Sequence, residues 1–336
     1  MLPALAVADA LRRRGVRVTF AGAQRAETRL VPAAGYELDT FVVAGLPRRL
    51  GLGLVRGLGT AATAIPACLR ILRRRRPDVV LGGGGYVGGP MVMAAGLLRI
   101  PAALMEADAH LGLANRLALP FARRAFLAFP IVGRSRPKYR VVGRPIPARA
   151  RPIEGPEARA RFGLPPAGHA VLVFGGSQGA RRLNEAALDA FGADGPAVLH
   201  LCGEHHFEAL RARVSRPGYV LLPFTEDFGA ALAAADLVVA RAGGSLWEVA
   251  AAGKPALLVP YPHATADHQT KNARYFEQAG GAVVVPEPDL DLRRQVDALL
   301  DDERRLVEMA AAMRRLARPD AADVVAEEVI DLVRAA

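Results

Sequence analysis

The sequence predicts an α/β protein with two β/α/β halves, and three observations support that prediction. Short apolar runs alternate with helical segments along the chain, as in parallel sheets covered by helices. A glycine-rich loop follows a predicted strand in each half, at 82–90 and again at 175–179. Between the halves, residues 148–166 are rich in proline and charge, which is typical of a linker between domains.

Composition limits the class of protein and its partners. With 336 residues, 51% of them hydrophobic, the chain is long enough for two domains that each bury a core. Its cysteines, Cys68 and Cys202, lie far apart in sequence, so no disulfide framework is expected and a reducing cytoplasm is the default. The net charge of +11 favours anionic partners. Little aromatic interleaving and no nucleic-acid motif argue against nucleic acid as that partner.

The first half opens inside a helix. Residues 2–15 have the pattern of an amphipathic helix, and residues 16–20 that of the next strand. Because a doubly wound domain opens with a strand and a phosphate loop, we expect the first strand and its loop to be missing from this half. A strand-and-turn region is expected at 31–44, further strands are predicted at 77–81 and 100–105, and the last strand of this half, with its turn, is predicted at 141–147.

The second half repeats the pattern. Its loop at 175–179 stands between a strand and a helix, and the backbone N–H groups of such a loop, with the helix dipole, can hold a diphosphate without a metal. The stretch 204–206 is expected to be a solvated loop, and the last forty or so residues are expected to be helical. Strands are predicted at 170–174, 198–202, 219–222, 237–240 and 256–259.

Polar side chains after two consecutive strands mark the candidate site, since open α/β sheets bind ligands at that edge. Ser245 and Glu248 have the S-x-x-E spacing of a capping box. Glu248 therefore either closes that box or accepts hydrogen bonds from paired hydroxyls, such as a ribose diol. Gln269 follows a strand end beside His268 and is either solvated or a ligand contact. The spacing of His263 and His268, with no cysteine near, predicts no metal site.

Four linked motifs span nearly the whole chain: LGGGGYVGGP at 81–90, EADAHLGLANR at 106–116, FGGSQGARRLN at 174–184 and RAGGSLWEVAAAGKPALLVPYPHATADHQTKNA at 241–273. Together they resemble the MurG family of peptidoglycan N-acetylglucosaminyltransferases. The resemblance implies the GT-B architecture, with two Rossmann-like domains facing a cleft and the first domain lacking its first strand. The implied domains are an acceptor- and membrane-facing domain at 1–147, a UDP-sugar-binding domain at 148–318, and a terminal helix at 319–336 that packs back on the first domain.

The activity implied by the resemblance is an inverting glycosyl transfer. N-acetylglucosamine would pass from UDP-N-acetylglucosamine to the 4-hydroxyl of the muramoyl residue of undecaprenyl-diphosphate-linked lipid I. The product would be lipid II of peptidoglycan synthesis. No cofactor and no metal are implied, and the enzyme is expected to be peripheral at the cytoplasmic face of the cell membrane.

Site residues follow from the motifs that match the family. Glu248 is expected to bind the ribose hydroxyls, and Gln269, with His268 beside it, the sugar hydroxyls. Ser177 should meet the diphosphate. Phe224 and Thr225 should line the uracil pocket. The other implied donor contacts are Gly176, Gln178, Gly244, Ser245, Leu246, Asp108 and Arg149. The implied acceptor contacts are Gly85, Tyr86, Gly88, Glu106 and Asn115.

The chain departs from the family pattern in four places. The usual E-Q-N is Glu106-Ala107-Asp108 here, and Pro147 replaces an arginine, for which Arg149 is the nearest substitute. The loop before Glu248 is one residue shorter than the commoner pattern. The family's first glycine loop, with its histidine, has no counterpart. Asp108 is therefore the candidate base, and this chain is expected to bind donor but to transfer little sugar.

Two other functions stay open at this point. One is another two-Rossmann UDP-sugar enzyme, such as a 2-epimerase or a glycolipid galactosyltransferase, which would lack the combination of GGYVGGP and HQTKNA. The other is a protein that binds the donor without catalysis.

A contact with an anionic membrane surface is expected from the first half. Segment 50–72 is apolar but interrupted by Arg56, several glycines and Pro66, which suits an interfacial position better than a membrane span. Basic residues near an anionic bilayer attract it. Those in and around this segment are Arg48, Arg49, Arg56, Arg70, Arg73, Arg74, Arg75 and Arg76.

Overall fold

The computed structural model describes residues 1–43, 52–135, 137–147, 154–176 and 179–335, with the backbone alone for 52–63. Two compact units are present: a first unit of Met1–Pro147 with Pro319–Ala336, and a second unit of Ala148–Arg318. The strands are β1 (Thr19–Gly22), β2 (Glu37–Thr40), β3 (Val80–Gly82), β4 (Ala102–Glu106), β5 (Arg124–Leu127), β6 (Tyr139–Val141), β7 (Ala170–Phe174), β8 (Ala197–Leu201), β9 (Tyr219–Leu222), β10 (Leu237–Ala240), β11 (Ala256–Leu258) and β12 (Ala282–Val284). The helices are α1 (Leu2–Arg13), α2 (Glu27–Ala33), α3 (Leu52–Arg75), α4 (Gly85–Leu97), α5 (Leu113–Ala118), α6 (Gly155–Arg161), α7 (Arg181–Phe191), α8 (Glu204–Arg211), α9 (Phe228–Ala234), α10 (Leu246–Ala251), α11 (His268–Gln278), α12 (Leu292–Leu300), α13 (Glu303–Leu316) and α14 (Ala321–Arg334).

The second unit contains a six-stranded parallel sheet with the order β9-β8-β7-β10-β11-β12. The order reverses between β7 and β10, which is the switch point where open α/β sheets bind ligands. Its central strands β7 and β10 are buried throughout, as expected for a parallel sheet covered by helices on both faces. The last residues of the six strands pair in one row, in sheet order Leu222, Leu201, Phe174, Ala240, Leu258 and Val284. All six carboxyl ends therefore meet at one edge, called the donor edge below.

The first unit contains two separate parallel sheets, β1-β2 and β3-β4-β5-β6. Among the residues that the structure describes, no strand joins β1 to β3. Helix α1 connects the two sheets through its side chains. Leu5 packs in a cluster with Val31 and Tyr36 beside the first sheet, whereas Val7 packs with Met105 of the second. The sheets thus share one apolar layer without sharing a strand.

The last helix completes the first unit. The apolar face of α14, with Val325 and Val329, packs in the same cluster as Val7 of α1. Arg14 donates hydrogen bonds to Asp323 and to Glu327 at the edge of that contact. The helix is therefore held to α1 by apolar burial, with exposed ion pairs that contribute little by comparison.

Two local predictions are wrong. The stretch 204–206 is the first turn of α8 and not a loop. Gly203 reaches φ +90° before the helix, and the acidic Glu204 in the first turn suits the helix dipole. Phe207 and Leu210 then pack against the core. Residues 31–33, expected in a strand-and-turn region, belong to α2, where Val31 is buried.

Two strands escaped the sequence prediction. They are β5, which has four residues, and β12, which has three. Across the described ranges, none of the helices combines the length and the apolar character that crossing a membrane would require.

Candidate active site

The glycine turn after β7 is closed and closely packed. A Cβ on Gly175 would lie 2.3 Å from the Cβ of Ala180, and a Cβ on Gly179 would lie 2.2 Å from the carbonyl oxygen of Cys202. The Gly179 N–H donates to the carbonyl of Gly176 at 2.9 Å. Only glycine fits at both packed positions, because any side chain would displace backbone.

The helix that follows this turn can receive an anion. Helix α7 has eleven residues, no side-chain cap and no acidic residue in its first turn. Its first N–H groups and the positive end of its dipole therefore lie beside the glycine turn. Ser177 and Gln178, the predicted diphosphate contacts in this turn, lie outside the described residues, and so does Arg149.

A buried polar network fixes α7 to the neighbouring strands. The Asn184 amide nitrogen donates to the Cys202 carbonyl at 2.8 Å, so its oxygen accepts from Nε2–H of His200 at 3.1 Å. Nδ1 of His200 then accepts from the hydroxyl of Tyr219 at 2.9 Å. Burial lowers the pKa of His200 to about 3, which keeps the ring neutral. The network holds the start of α7 to the carboxyl end of β8 and to Tyr219, the first residue of β9.

The turn after β10 carries Glu248. Ser245 precedes α10 in a helical conformation and makes no side-chain cap, so the predicted capping box is not formed from this residue. Glu248 lies half-buried on the first turn of α10, where its N–H donates to the Ser245 carbonyl at 3.0 Å. Gly244 and Leu246 lie on the same turn. The carboxylate thus stands on a helix that begins at the donor edge, directly beside the switch point.

The loop after β11 carries Gln269 and His268. Oε1 of Gln269 accepts from the N–H of Tyr261 at 2.9 Å. Nδ1 of His268 lies 2.8 Å from the carbonyl of Thr265, to which it donates. Ala266 and Asp267 have φ of +52° and +53°, a left-handed conformation that costs a residue with a Cβ about 1–3 kcal/mol. Such strain is characteristic of functional loops.

Phe224 and Thr225 follow β9 on the other side of the switch point. The ring of Phe224 is 52% exposed, and the hydroxyl of Thr225 accepts from the N–H of Asp227 at 3.1 Å. Strands β9 and β10 are three positions apart in the sheet, about 14 Å at the usual strand spacing. The aromatic ring and the carboxylate therefore lie on opposite sides of the switch point, at the same edge of the sheet.

Arg241 and Glu287 belong to the donor edge although the sequence analysis did not identify them. Arg241 is the residue directly after β10, and Glu287 lies shortly after β12. Their side chains form an ion pair that is almost fully buried. In the sequence, Arg241 stands between a buried strand and a glycine turn. A charged residue at such a place is seldom buried without a partner, so its position could have indicated an ion pair.

The glycine turn of the first unit precedes α4. A Cβ on Gly82 would lie 2.7 Å from Val92, and Gly84 and Gly85 reach φ of +88° and +69°. Helix α4 has thirteen residues and no side-chain cap. The guanidinium of Arg25 lies 5.4 Å from the ring centre of Tyr86, a cation–π contact that the sequence did not indicate.

Glu106 and Asn115 organise the loop after β4. Oε1 of Glu106 accepts from the Ala107 N–H at 2.9 Å, and Oε2 accepts from Gly112 N–H and Asn115 Nδ2, both at 2.9 Å. Burial raises the pKa of Glu106, while those hydrogen bonds oppose the shift. Both oxygens therefore hold the loop that contains the half-buried Asp108. An acceptor contact of Glu106 or Asn115 stays a prediction.

Metal ligands are not clustered in the described part of the chain, where no group of three histidine, cysteine or acidic side chains could hold an ion. Helix N-termini and polar side chains are the groups that the described edges offer to a ligand. Such a set suits neutral hydroxyls and an anionic diphosphate.

Comparison with known proteins identifies both halves of the chain. Residues 1–127 match the glycosyltransferase family 28 N-terminal domain, and residues 170–325 match the C-terminal domain of the same family. A UDP-N-acetylglucosamine--N-acetylmuramyl-(pentapeptide) pyrophosphoryl-undecaprenol N-acetylglucosamine transferase of Halorhodospira halophila is 44% identical over 96% of this chain and 92% of its own length. A transferase of the same name from Rubrobacter xylanophilus is 40% identical over 96% of this chain and 98% of its own.

Solved structures agree with that result. The crystal structure of MurG from Acinetobacter baumannii has a TM-score of 0.77 and 29% identity, covering 98% of this chain and 95% of its own. The UDP complex of MnaA from S. aureus has a TM-score of 0.72 at 12% identity, a likeness of fold alone.

Proposed function

Because this chain belongs to glycosyltransferase family 28, and within it to the MurG family, we propose that it transfers N-acetylglucosamine from UDP-N-acetylglucosamine to lipid I. The acceptor is the 4-hydroxyl of the muramoyl residue on undecaprenyl diphosphate, and the product is lipid II. Relatives with 35–44% identity over nearly the whole chain carry the name of this transferase, which favours it over a 2-epimerase or a protein that only binds the donor.

The observation that carries the donor side of the proposal is the common row of six strand ends. It brings Gly176, Phe224, Glu248 and Gln269 to one edge although they are spread over more than ninety residues of sequence. The glycine turn and the turn before Glu248 follow β7 and β10, the two strands at the switch point. A nucleotide sugar bound there would meet an anion site at the switch point, together with an exposed ring surface and hydroxyl-binding groups along the same edge.

The roles of the donor-edge residues follow from their chemistry. The exposed ring of Phe224 beside Thr225 suits the uracil, and the carboxylate of Glu248 suits the paired ribose hydroxyls. The turn of Gly176 and the N-terminus of α7 suit the diphosphate, with Ser177 and Gln178 as further contacts. Gln269 and His268, on the strained loop after β11, suit the hydroxyls of the sugar.

The chemical step is an inverting displacement at C1 of the sugar. The acceptor oxygen forms a bond to C1 while the bond from C1 to the diphosphate breaks, and the hydroxyl proton passes to a base. Developing charge on the departing UDP lies toward α7, whose free N–H groups stabilise it. Asp108, half-buried in the loop shaped by Glu106, stays the candidate base.

The acceptor diphosphate is assigned to the first unit. Helix α4 begins without a side-chain cap after Gly84, and Tyr86 lies on its first turn. Gly85, where no atom lies within 4 Å of an added Cβ, lets backbone approach a ligand closely there, whereas Gly88 packs against Gly82 and Gly83. Arg25, whose guanidinium lies over Tyr86, adds a cation beside this helix start.

We also propose that the first unit rests on an anionic membrane surface at the cytoplasmic face. Arg74 and Arg75 are paired with Asp39, and Arg75 also with Glu37, so these two arginines are largely neutralised. Three other arginines at the C-terminal end of α3 are exposed: Arg70, Arg73 and Arg76. Arg48 and Arg49 lie outside the described residues, as does the side chain of Arg56. Exposed Leu113 and Leu117, one turn apart on α5, offer apolar contacts.

Calorimetry with UDP-N-acetylglucosamine tests the donor assignment. Glu248→Ala and Gln269→Ala should each lose about 1–3 kcal/mol of binding free energy, since each removes a hydrogen-bonding group from a bound sugar nucleotide. Gln278→Ala, at the far end of α11, and Glu308→Ala, on the exposed face of α13, are the matched controls. Full donor affinity in both site variants would refute the assignment. Turnover with a lipid I analogue, with product analysis, separates transfer from epimerisation.

A further inference from the structure

An almost fully buried ion pair joins three loops of the donor edge. The side chains of Arg241 and Glu287 are 7% and 14% exposed. The guanidinium of Arg241 also donates to the carbonyls of Val259 and Pro260, each at 3.1 Å. One cation thus connects the residue after β10 with the loops after β11 and β12.

The carbonyls held by Arg241 lie directly before the residue that contacts Gln269. The ring of Tyr261 lies 5.6 Å from the guanidinium, and its N–H donates to Oε1 of Gln269. Fixing Val259 and Pro260 therefore fixes the direction in which the Tyr261 N–H points. The hydrogen bond from this N–H to Oε1 then fixes the orientation of the Gln269 amide.

The contact with Tyr261 decides which end of the amide is offered to a ligand. A backbone N–H can only donate, so the Gln269 atom that faces it must be the oxygen. The NH₂ group of Gln269 is then turned away from Tyr261. It can donate to an acceptor oxygen, such as that of a sugar hydroxyl.

Stability alone does not explain this arrangement. Replacing a buried ion pair by apolar side chains of similar volume is often neutral or stabilising, because two charges must be desolvated to form the pair. Arg182, the other cation near Glu287, lies 3.8 Å away and is 69% exposed, so it contributes little. What the buried pair supplies is a fixed geometry between loops.

We propose that Arg241 and Glu287 are positioning residues for the donor sugar. The pair holds the loop after β11 so that Gln269 presents its NH₂ group to a sugar hydroxyl oxygen. This inference rests on the proposed function, which assigns Gln269 to the sugar of the donor. It adds that recognition of the sugar, as opposed to the nucleotide, depends on two residues that do not touch it.

The test compares affinity for UDP-N-acetylglucosamine with affinity for UDP, measured by calorimetry on the full chain. Arg241→Lys and Glu287→Gln should each weaken binding of the sugar nucleotide about tenfold, the equivalent of one hydrogen bond, and should change UDP binding less than about twofold. In turnover, KM for the donor should rise more than kcat falls. Glu287→Asp, which keeps the charge, should recover part of the loss. Unchanged UDP binding also shows that each variant is folded.

Arg159→Lys is the matched control. Arg159 is also mostly buried, with 13% exposure, and pairs with Asp236 while donating to backbone carbonyls. It lies at the opposite edge of the same sheet, because Asp236 precedes β10. A ratio of affinities equal to that of the wild type is expected for this variant.

Gln269→Ala separates the two possible failures. If Gln269→Ala lowers the affinity ratio but Arg241→Lys and Glu287→Gln leave it unchanged, the positioning role is refuted while the donor assignment stands. If Arg159→Lys lowers the ratio as much as Arg241→Lys does, the role is refuted as well. If Gln269→Ala binds both ligands like the wild type, the assignment of the sugar to Gln269 fails, and the inference fails with it.

Discussion

The glycine turn after β7 and the glycine turn after β3 both follow a parallel strand and precede a helix without a side-chain cap. Their surroundings differ. In the second unit, the helix is bound to neighbouring strands by Asn184 and His200, and the adjacent loops are joined by Arg241 and Glu287. In the first unit, the polar loop after β4 is held by Glu106, the last residue of that strand. The donor edge is therefore built from contacts between loops, and the loop after β4 from contacts within itself.

This difference predicts how far the effect of a substitution extends in each unit. A change at the donor edge should alter several loops at once, because each is a partner of another. A change in the loop after β4 should stay local and leave nucleotide binding intact.

The largest expected effect is that of Gly179→Ala. Its Cβ would lie 2.2 Å from the Cys202 carbonyl oxygen at a φ of +73°, so strain and overpacking together should destabilise the second unit by about 2–4 kcal/mol and abolish tight UDP binding. Gly85→Ala, where φ is +69° and no atom lies within 4 Å, should lower stability by only about 1–2 kcal/mol. Urea unfolding and UDP calorimetry measure both. Equal losses of stability in Gly179→Ala and Gly85→Ala would show that the two glycine turns do not differ in packing.

Glu106→Gln should have the next largest effect. Its new NH₂ group would face an N–H donor at whichever oxygen it replaces, leaving buried groups unpaired at about 1–3 kcal/mol of stability. kcat/KM for a lipid I analogue should fall, whereas UDP affinity should stay at the wild-type value. Glu308→Gln, with an exposed side chain on α13, serves as the control. A parallel fall in UDP affinity would show that the loop after β4 is not independent.

The response to acid should differ in sign between the two buried groups. His200 has a pKa lowered to about 3 and binds its proton only when unfolded, so the stability it contributes is present above its ordinary pKa and is lost as pH falls. Between pH 6.5 and 5.5 the second unit should lose about 1 kcal/mol from this cause. Glu106, with a raised pKa, contributes stability that is present below the ordinary glutamate pKa and is lost as pH rises through the raised value.

Urea unfolding across that pH range checks the prediction for His200. The wild type should show the loss, and His200→Gln should not. His205→Gln, on α8, should keep the wild-type slope. A slope that survives in His200→Gln would assign the acid sensitivity to another group.

The smallest expected effect concerns the membrane surface. Replacing Arg73 by Gln should weaken binding to anionic vesicles by about 1 kcal/mol at low salt, and less at physiological salt because of screening. Arg75→Gln should weaken it less, since Arg75 is already paired with Glu37 and Asp39. Vesicle co-sedimentation at two salt concentrations distinguishes them. An equal loss in both variants would mean that these pairs do not neutralise the helix end.

Much of the architecture could be predicted because it depends on short-range patterns. The apolar runs of β7, β9 and β10 predicted those strands with their observed ends, since a buried parallel strand is apolar on both faces and is bounded by polar residues. The motifs around Glu248 and Gln269 predicted the family, which the relatives confirm. Strand β12 was not predicted, although β11, which is equally short, was.

The tertiary structure alone decided how the site is held. Ser245 and Glu248 have the spacing of a capping box, yet Ser245 makes no cap. The spacing shows only that the two side chains could form the box, and the backbone conformation decides whether they do. Glu106 was assigned to the acceptor by its motif, and its oxygens are bound within its own loop. Arg241 and Glu287 are 46 residues apart, and only the register of β10, β11 and β12 brings them together. Local sequence encodes the strands and turns, whereas contacts between distant side chains exist only once the strands are paired.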